Sequence, residues 1–333
     1  MSDPIKVAVL GMIHDHVWDN LPAVRDCADL QLAAAFDENA PLRERIEAEY
    51  GCRTYNRPDD LFSKETLAAA AIFSSNAGGA ELAIQAMERG LHVMIEKPMA
   101  STLDEADRML AAAEKNKVRL MINWPFAWWP QLQHAVKLAN EGEIGNVWQV
   151  RYRAAHQGPE ELGCSKYFCD WLFDPVKNGG GALMDYCCYG ANLARVILGN
   201  PDSVSGTKAN LCKTHLAVED NAMVVMNYPH ALAIAEGSWT QVGKLTSYLT
   251  VIYGTAGTLV VEPRLGGRLL LATEQNPEGD EVLVPEVPKH LTNSAEHFAW
   301  GIRTGEAFQP LCQAEVGRDV QAILEEAICE IPW

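Results

Sequence analysis

The first third of the chain constrains the fold most, because short apolar stretches alternate with helical patterns in a regular order. "KVAVLG", "LQLAAAF", "AAAIFSS" and "HVMIEKP" are each followed by a helical stretch, at about Asp15 to Cys27, Pro41 to Tyr50, Ala80 to Arg89 and Leu103 to Lys115. "VRLMIN" then supplies a further strand. Strands without a polar face, joined by crossover helices, are buried on both sides and pair in parallel. The expectation is an α/β unit with a doubly wound parallel sheet over residues 1–123.

After Asn123 the pattern changes. A helix at about Gln131 to Asn140 precedes "VWQVRYRAAH", "SVSGTKANL", "NAMVVMNY", "ALAIAEGSW", "LTSYLTVIYG", "GTLVVEP" and "GRLLLAT". Consecutive strands with a hairpin signal at Gly266-Gly267 predict a large, mostly antiparallel open sheet, an α+β domain over residues 124–333. At 333 residues the chain is long enough for two cores. Stretches such as Ala222 to Met226 are apolar at both parities. Helices such as Leu183 to Leu198 can cover one face, and a second copy of the chain or its own loops the other; a homodimer or homotetramer is expected.

The 27 Lys and Arg residues against 44 Asp and Glu give a net charge of -17, which repels phosphate backbones and argues against nucleic acid. Nine cysteines without framework spacing, Cys187 and Cys188 adjacent, read as reduced thiols rather than a secreted scaffold or a zinc site. "MSDP" runs straight into the first strand, and no apolar run reaches membrane length. A soluble, cytoplasmic protein with no membrane partner is expected.

The first strand leads into "GMIHDH". A dinucleotide fingerprint G-x-G-x-x-G would put glycines at Gly11, Ile13 and His16, and only the first is present. The helix N-terminus still offers free N–H groups to an anion, through the Gly11, Met12 and Ile13 loop. Asp15 is expected to cap that helix. His14 and His16 form an H-x-H pair without a third ligand at suitable spacing, so no metal is expected, and hydrogen bonds to phosphate, substrate or backbone are. Asp37 ends the second strand, where it either accepts both adenosine ribose hydroxyls or caps the next helix. No arginine follows it directly, which favours NAD over NADP.

Two longer stretches are specific. "GLHVMIEKPMASTLDEADRML", residues 90–110, and "GGGALMDYCCYGANLARVILGNP", residues 179–201, resemble the EKP and GGGxLxDxGxHxxD motifs of the Gfo/Idh/MocA family of sugar and polyol oxidoreductases. The resemblance implies a Rossmann domain, then an α+β domain, with the active site between them. It implies Lys97, Asp185 and Tyr189 as the catalytic set, Tyr189 standing at the usual histidine position, as in glucose-fructose oxidoreductase and dihydrodiol dehydrogenase. It further implies Ser74, Ser75, Asn76, Glu96, Lys97 and Trp171 at the cofactor. Cys187 replaces a usual glycine, Asn192 a usual aspartate, Ser74-Ser75-Asn76 the common TPN turn, and Leu172 an arginine that often follows the tryptophan.

The residues themselves agree. Asp185 and Tyr189, four apart on a helix, project from one face. Lys97 ends a strand, where open α/β sheets bind ligands, and its ammonium would lower the tyrosine's ordinary pKa of about 10 and suit it to take a hydroxyl proton. Trp124 and Trp128 suit a sugar face or a hinge core equally. Tyr152 and His156 share a strand parity and line either the cleft or the covered core. The expected function is NAD-dependent hydride transfer to or from a secondary alcohol of a carbohydrate. The alternatives are redox-neutral cleavage or epimerisation through a keto-sugar, and a non-catalytic ligand sensor.

Overall fold

The computed structural model describes residues 3–329. The alternating first part forms β1 (Ile5–Leu10), α1 (His16–Asp26), β2 (Leu30–Phe36), α2 (Ala40–Tyr50), β3 (Arg53–Tyr55), α3 (Pro58–Lys64), β4 (Ala69–Ile72), α4 (Asn76–Glu88), β5 (His92–Glu96), α5 (Leu103–Asn116) and β6 (Leu120–Asn123). Its strands pair in parallel in the order β3-β2-β1-β4-β5-β6. β1 and β4 are neighbours where the strand order reverses, the crevice in which such sheets hold dinucleotides. β3 and α3 escaped the sequence reading, since a three-residue, partly exposed edge strand has no apolar run to show. The start of α5 is explicit: the Thr102 hydroxyl accepts the Glu105 N–H, and the Glu105 carboxylate accepts the Thr102 N–H.

The second part comprises α6 (Pro130–Asn140), β7 (Val147–Ala155), α7 (Lys166–Leu172), α8 (Pro175–Asn178), a π-helical turn (Leu183–Cys187), α9 (Cys188–Leu198), β8 (Ser203–Ala209), β9 (Asn221–Tyr228), β10 (Ala231–Ser238), β11 (Leu249–Gly254), β12 (Gly257–Val261), β13 (Leu269–Thr273), β14 (Asp280–Glu281), α10 (Ser294–Thr304) and α11 (Ala314–Cys329). The eight strands follow the order β14-β13-β12-β11-β7-β10-β9-β8, antiparallel except for β7 and β10. α9 lies on one face. A Cβ at Gly190 would fall 2.5 Å from the Ala235 Cβ, so only glycine lets this helix approach the sheet so closely.

α11 returns to both halves. Glu325 accepts the Leu103 N–H (2.7 Å) and Glu326 the Val204 N–H (3.0 Å), while Arg318 pairs with Asp107 and Asp319 with Arg195. Among the described residues no helix is long and apolar enough to cross a membrane.

Candidate active site

Gly11 leaves β1 at φ +77, and a Cβ there would lie 2.9 Å from the Ser74 Cβ, so this first glycine brings the β1 and β4 loops into contact. In the loop, Gly11 N–H is taken by Phe36 O, Met12 N–H by Asp37, His14 N–H by Phe73 O and His16 N–H by His14 Nδ1. Among the described residues the Ile13 and Asp15 amides have no acceptor, at the positive end of α1, which is the donor pattern an anion needs without further glycines. Ser75 caps α4, and Asn76 spends its amide on the carbonyls of Asn178 across the interface (3.0 and 2.8 Å).

One expectation here, and one alternative, are corrected. Asp15 does not cap α1; its carboxylate accepts the N–H and the hydroxyl of Ser165 (both 2.6 Å), tying the loop to the start of α7. Asp37 does not cap α2 either: it accepts Met12 N–H (2.6 Å), Asn39 N–H (2.7 Å) and the Asn39 side chain (2.8 Å). With roughly four acceptor positions on a carboxylate, these bonds leave one open. Arg43, six residues on, donates to the carbonyls of Asp37 and Glu38 (2.7 and 2.8 Å). A helical turn brings it there, which a search for an arginine immediately after Asp37 misses.

Glu96 is held by two side chains. Its carboxylate bridges His16 Nδ1 (2.9 Å) and Asn123 Nδ2 (2.6 Å). The fold thereby brings a third carboxylate or imidazole ligand to the H-x-H pair, with the ligand atoms of His14, His16 and Glu96 within 4.8 Å of one another, a grouping the spacing did not show. The α1 N-terminus and Lys97 put positive potential on this corner, favouring an anion over a cation. Buried His14 packs against Phe168 and Trp171, with its pKa held well below the usual histidine range by burial first, then by His16 and Lys97. Trp171 donates to Ile13 O (3.3 Å) from behind the loop.

Lys97 and Asp185 meet across the two parts. Lys97 Nζ lies 2.7 Å from Asp185 Oδ1 and 3.0 Å from its carbonyl, and Trp239 Nε1 donates to Oδ2 (3.1 Å). Burial works against both charges. The pair outweighs it, holding the lysine above and the aspartate below their ordinary values. The π-helical turn places Asp185, Tyr186 and Tyr189 together on the wall of one cleft of about 440 Å³. Such turns have no compositional signature, which is why Tyr186 was missed.

Tyr189 is not a lowered phenol. Burial, then Tyr152 and Cys188, push its pKa well above the ordinary tyrosine value. Lys97 Nζ sits 4.9 Å from its ring centroid, yet the ammonium is spent on Asp185. Tyr152 stacks on Tyr189 at 5.7 Å, and its buried hydroxyl has no hydrogen-bond partner among the described residues. His156 also lines the cleft; burial lowers its pKa to about 4, and Nδ1 accepts the Gly158 N–H (2.8 Å), so the neutral ring carries its proton on Nε2. Trp124 and Trp128 do not line the cleft. Trp124 is fully buried against Tyr189, and Trp128 donates to Asn123 (3.0 Å) and packs near His297. Their neighbour Trp129 faces it instead, with Tyr248 and Arg264.

Residues 5–124 match the oxidoreductase family with an NAD-binding Rossmann fold, Gfo/Idh/MocA, and residues 132–260 match the Gfo/Idh/MocA C-terminal domain. The chain belongs to the Gfo/Idh/MocA oxidoreductase family. D-xylose 1-dehydrogenase (NADP(+)) 2 of Haloferax volcanii is 28% identical over 96% of either chain, and scyllo-inositol 2-dehydrogenase (NADP(+)) IolU of Bacillus subtilis 25% identical over 97% of this chain and 96% of its own. In fold it is similar to an inositol dehydrogenase homologue complexed with NAD+ from Azotobacter vinelandii (TM-score 0.84, 20% identity, 99% and 96% of the two chains).

Proposed function

We propose that this oxidoreductase uses NAD to move a hydride between the nicotinamide and a secondary alcohol of a sugar, polyol or glycoside. The observation that carries the reading is the buried Lys97, Asp185 and Tyr189 cluster opening into one cleft beside the β1 loop. The curated relatives' names, xylose and inositol dehydrogenases, point to the same substrates. Bound NAD supplies the hydride acceptor or donor.

The chain's own groups handle the proton. Lys97 has one ammonium proton beyond the two spent on Asp185, Tyr189 keeps its phenolic hydrogen, and His156 presents Nε2–H. All three are donors at neutral pH. They orient a substrate carbonyl and protonate the forming alkoxide directly, whereas alcohol oxidation requires Lys97 or Tyr189 to give up its proton first. Gly11, Met12, Ile13, Ser74, Ser75 and Asn76 frame the pyrophosphate side, and the Asp37 carboxylate opposes a 2'-phosphate, favouring NAD. The test is a spectrophotometric screen of purified protein with NAD against sugars, inositols and glycosides. NADH formation supports dehydrogenation, substrate loss without NADH means redox-neutral chemistry, and neither refutes catalysis on these compounds.

The outer face of the second sheet carries a row formed by Val225, Ile234, Arg151, Val251, Val260 and Leu270 across five strand pairings. This largely apolar row supports a homo-oligomer built face to face. Light scattering at micromolar concentration showing only a 36.6 kDa monomer would overturn it. Nine free cysteines suit a reducing, cytoplasmic compartment.

A further inference from the structure

Among the described residues, three non-glycine positions have left-handed backbones: Lys117 (φ 53), Tyr248 (φ 58) and Arg264 (φ 70). Lys117 ends α5, an ordinary place for it. The other two come from separate loops, before β11 and after β12, and both stand at the mouth of the cleft, with the Arg264 guanidinium 5.5 Å from the Tyr248 ring centroid. Backbone strain of this kind persists where surrounding structure enforces it, and it concentrates at ligand clamps. The enforcement is visible. Buried Gln131 donates to the carbonyls of Glu262 (2.9 Å) and Arg264 (2.5 Å), and a Cβ on Gly267 would fall 2.8 Å from the same amide nitrogen. Tyr248 is fixed in turn by its hydroxyl, 3.2 Å from that of Tyr186.

The charge is equally specific. In a chain with 44 acidic residues, the Arg264 side chain has no carboxylate partner and no hydrogen bond among the described residues. Lys97, the other cleft cation, has its charge paired with Asp185. Of the cleft carboxylates, Asp15 is held by Ser165 and Asp185 by Lys97, while Asp19 stands exposed on α1. A planar guanidinium fork with its donors open, held in place by strained backbone and an aromatic face, is suited to a carboxylate or phosphate.

We propose that Arg264, seated on Tyr248, determines specificity by taking an anionic group at the end of the sugar remote from the oxidised carbon, so that the substrates are sugar acids or sugar phosphates rather than neutral sugars. This deepens the dehydrogenase reading and rests on it. Tyr186 and Tyr248 separate the guanidinium from Lys97, so it acts on binding and orientation rather than on the reacting carbon.

The NAD-loaded protein is assayed with glucose, glucuronate and glucose 6-phosphate, and with the galactose series. One anionic series is expected to exceed its neutral parent in kcat/KM by about tenfold to a hundredfold, the worth of a charge-assisted hydrogen bond. Preference for uronate or for phosphate tells which anion is taken. Arg264→Gln should collapse the anionic-to-neutral ratio through KM, Arg264→Lys should restore part of it, and Arg264→Gly, which relieves the backbone, should match Gln. Equal use of neutral and anionic sugars by the wild type, or an unchanged ratio in Arg264→Gln, overturns the proposal. If no sugar is oxidised, the dehydrogenase reading fails by itself, and calorimetry with glucuronate and glucose 6-phosphate decides Arg264. Binding lost in Arg264→Gln upholds its role, and no binding of either anion to the wild type refutes it.

Discussion

Lys97 Nζ and Asp185 Oδ1 lie 2.7 Å apart in a buried ion pair that crosses from the end of β5 to the turn before α9, joining the two halves at the candidate active site. Because burial works against the lysine's charge, the aspartate is the main group that sustains it.

That dependence sets a pH profile. Alcohol oxidation is expected to rise toward alkaline pH, since both Lys97 and Tyr189 hold their protons above their ordinary values. Asp185 raises both, so Asp185→Asn should move the limb to lower pH. A limb that stays put or moves up in rate measurements contradicts this assignment.

Removing the lysine has a different cost. Lys97→Ala leaves the Asp185 carboxylate buried with Trp239 as its remaining side-chain donor, and breaking a buried pair in this way costs about 3–5 kcal/mol. Urea denaturation showing less than about 1 kcal/mol would mean that water reaches the carboxylate.

Tyr189→Phe removes only a hydroxyl that makes no hydrogen bond among the described residues, on a side chain that lines the cleft. NAD affinity by calorimetry should persist while kcat falls by about 10² or more, the scale of a positioned acid-base group. Full activity would make Tyr189 a packing residue against Trp124, Phe126 and Tyr152.

Cofactor choice is expected to turn on Asp37 and Arg43. The wild type should bind NAD at least tenfold tighter than NADP, about 1.4 kcal/mol. Asp37→Asn drops the charge beside Arg43 and should narrow that gap, chiefly by tighter NADP binding. Equal affinities in the wild type would show that the arginine dominates.

Gly11→Ala forces a Cβ to 2.9 Å from the Ser74 Cβ at φ +77. The left-handed backbone alone costs about 1–2 kcal/mol, and the contact spreads the two loops. A lowered melting temperature together with weakened NAD binding is expected; wild-type values in both would show that the loops can yield.

The sequence by itself determined the parallel sheet and the open sheet after it, and its motifs singled out Lys97, Asp185 and Tyr189 as candidates, because strand periodicity and short motifs are local properties written in neighbouring residues. It overlooked α10 and α11 at the C-terminal end, and whether aromatic side chains faced a cleft or a core. Trp124, Trp128 and Trp129 are adjacent in one aromatic stretch, and only the 3-10 turn at Pro125–Trp128 decides that the last of them meets the cleft. Ionisation was likewise decided by tertiary structure. Lys97 sits beside the Tyr189 ring as the motifs suggested, but the phenol is raised, since desolvation and neighbouring tyrosines act on it while Asp185 takes up the ammonium. A pKa depends on how much water the fold removes and which charges it brings near from distant parts of the chain, as Glu96 is brought to His16 and Arg264 to Tyr248, and that is long-range information that no short stretch of residues contains.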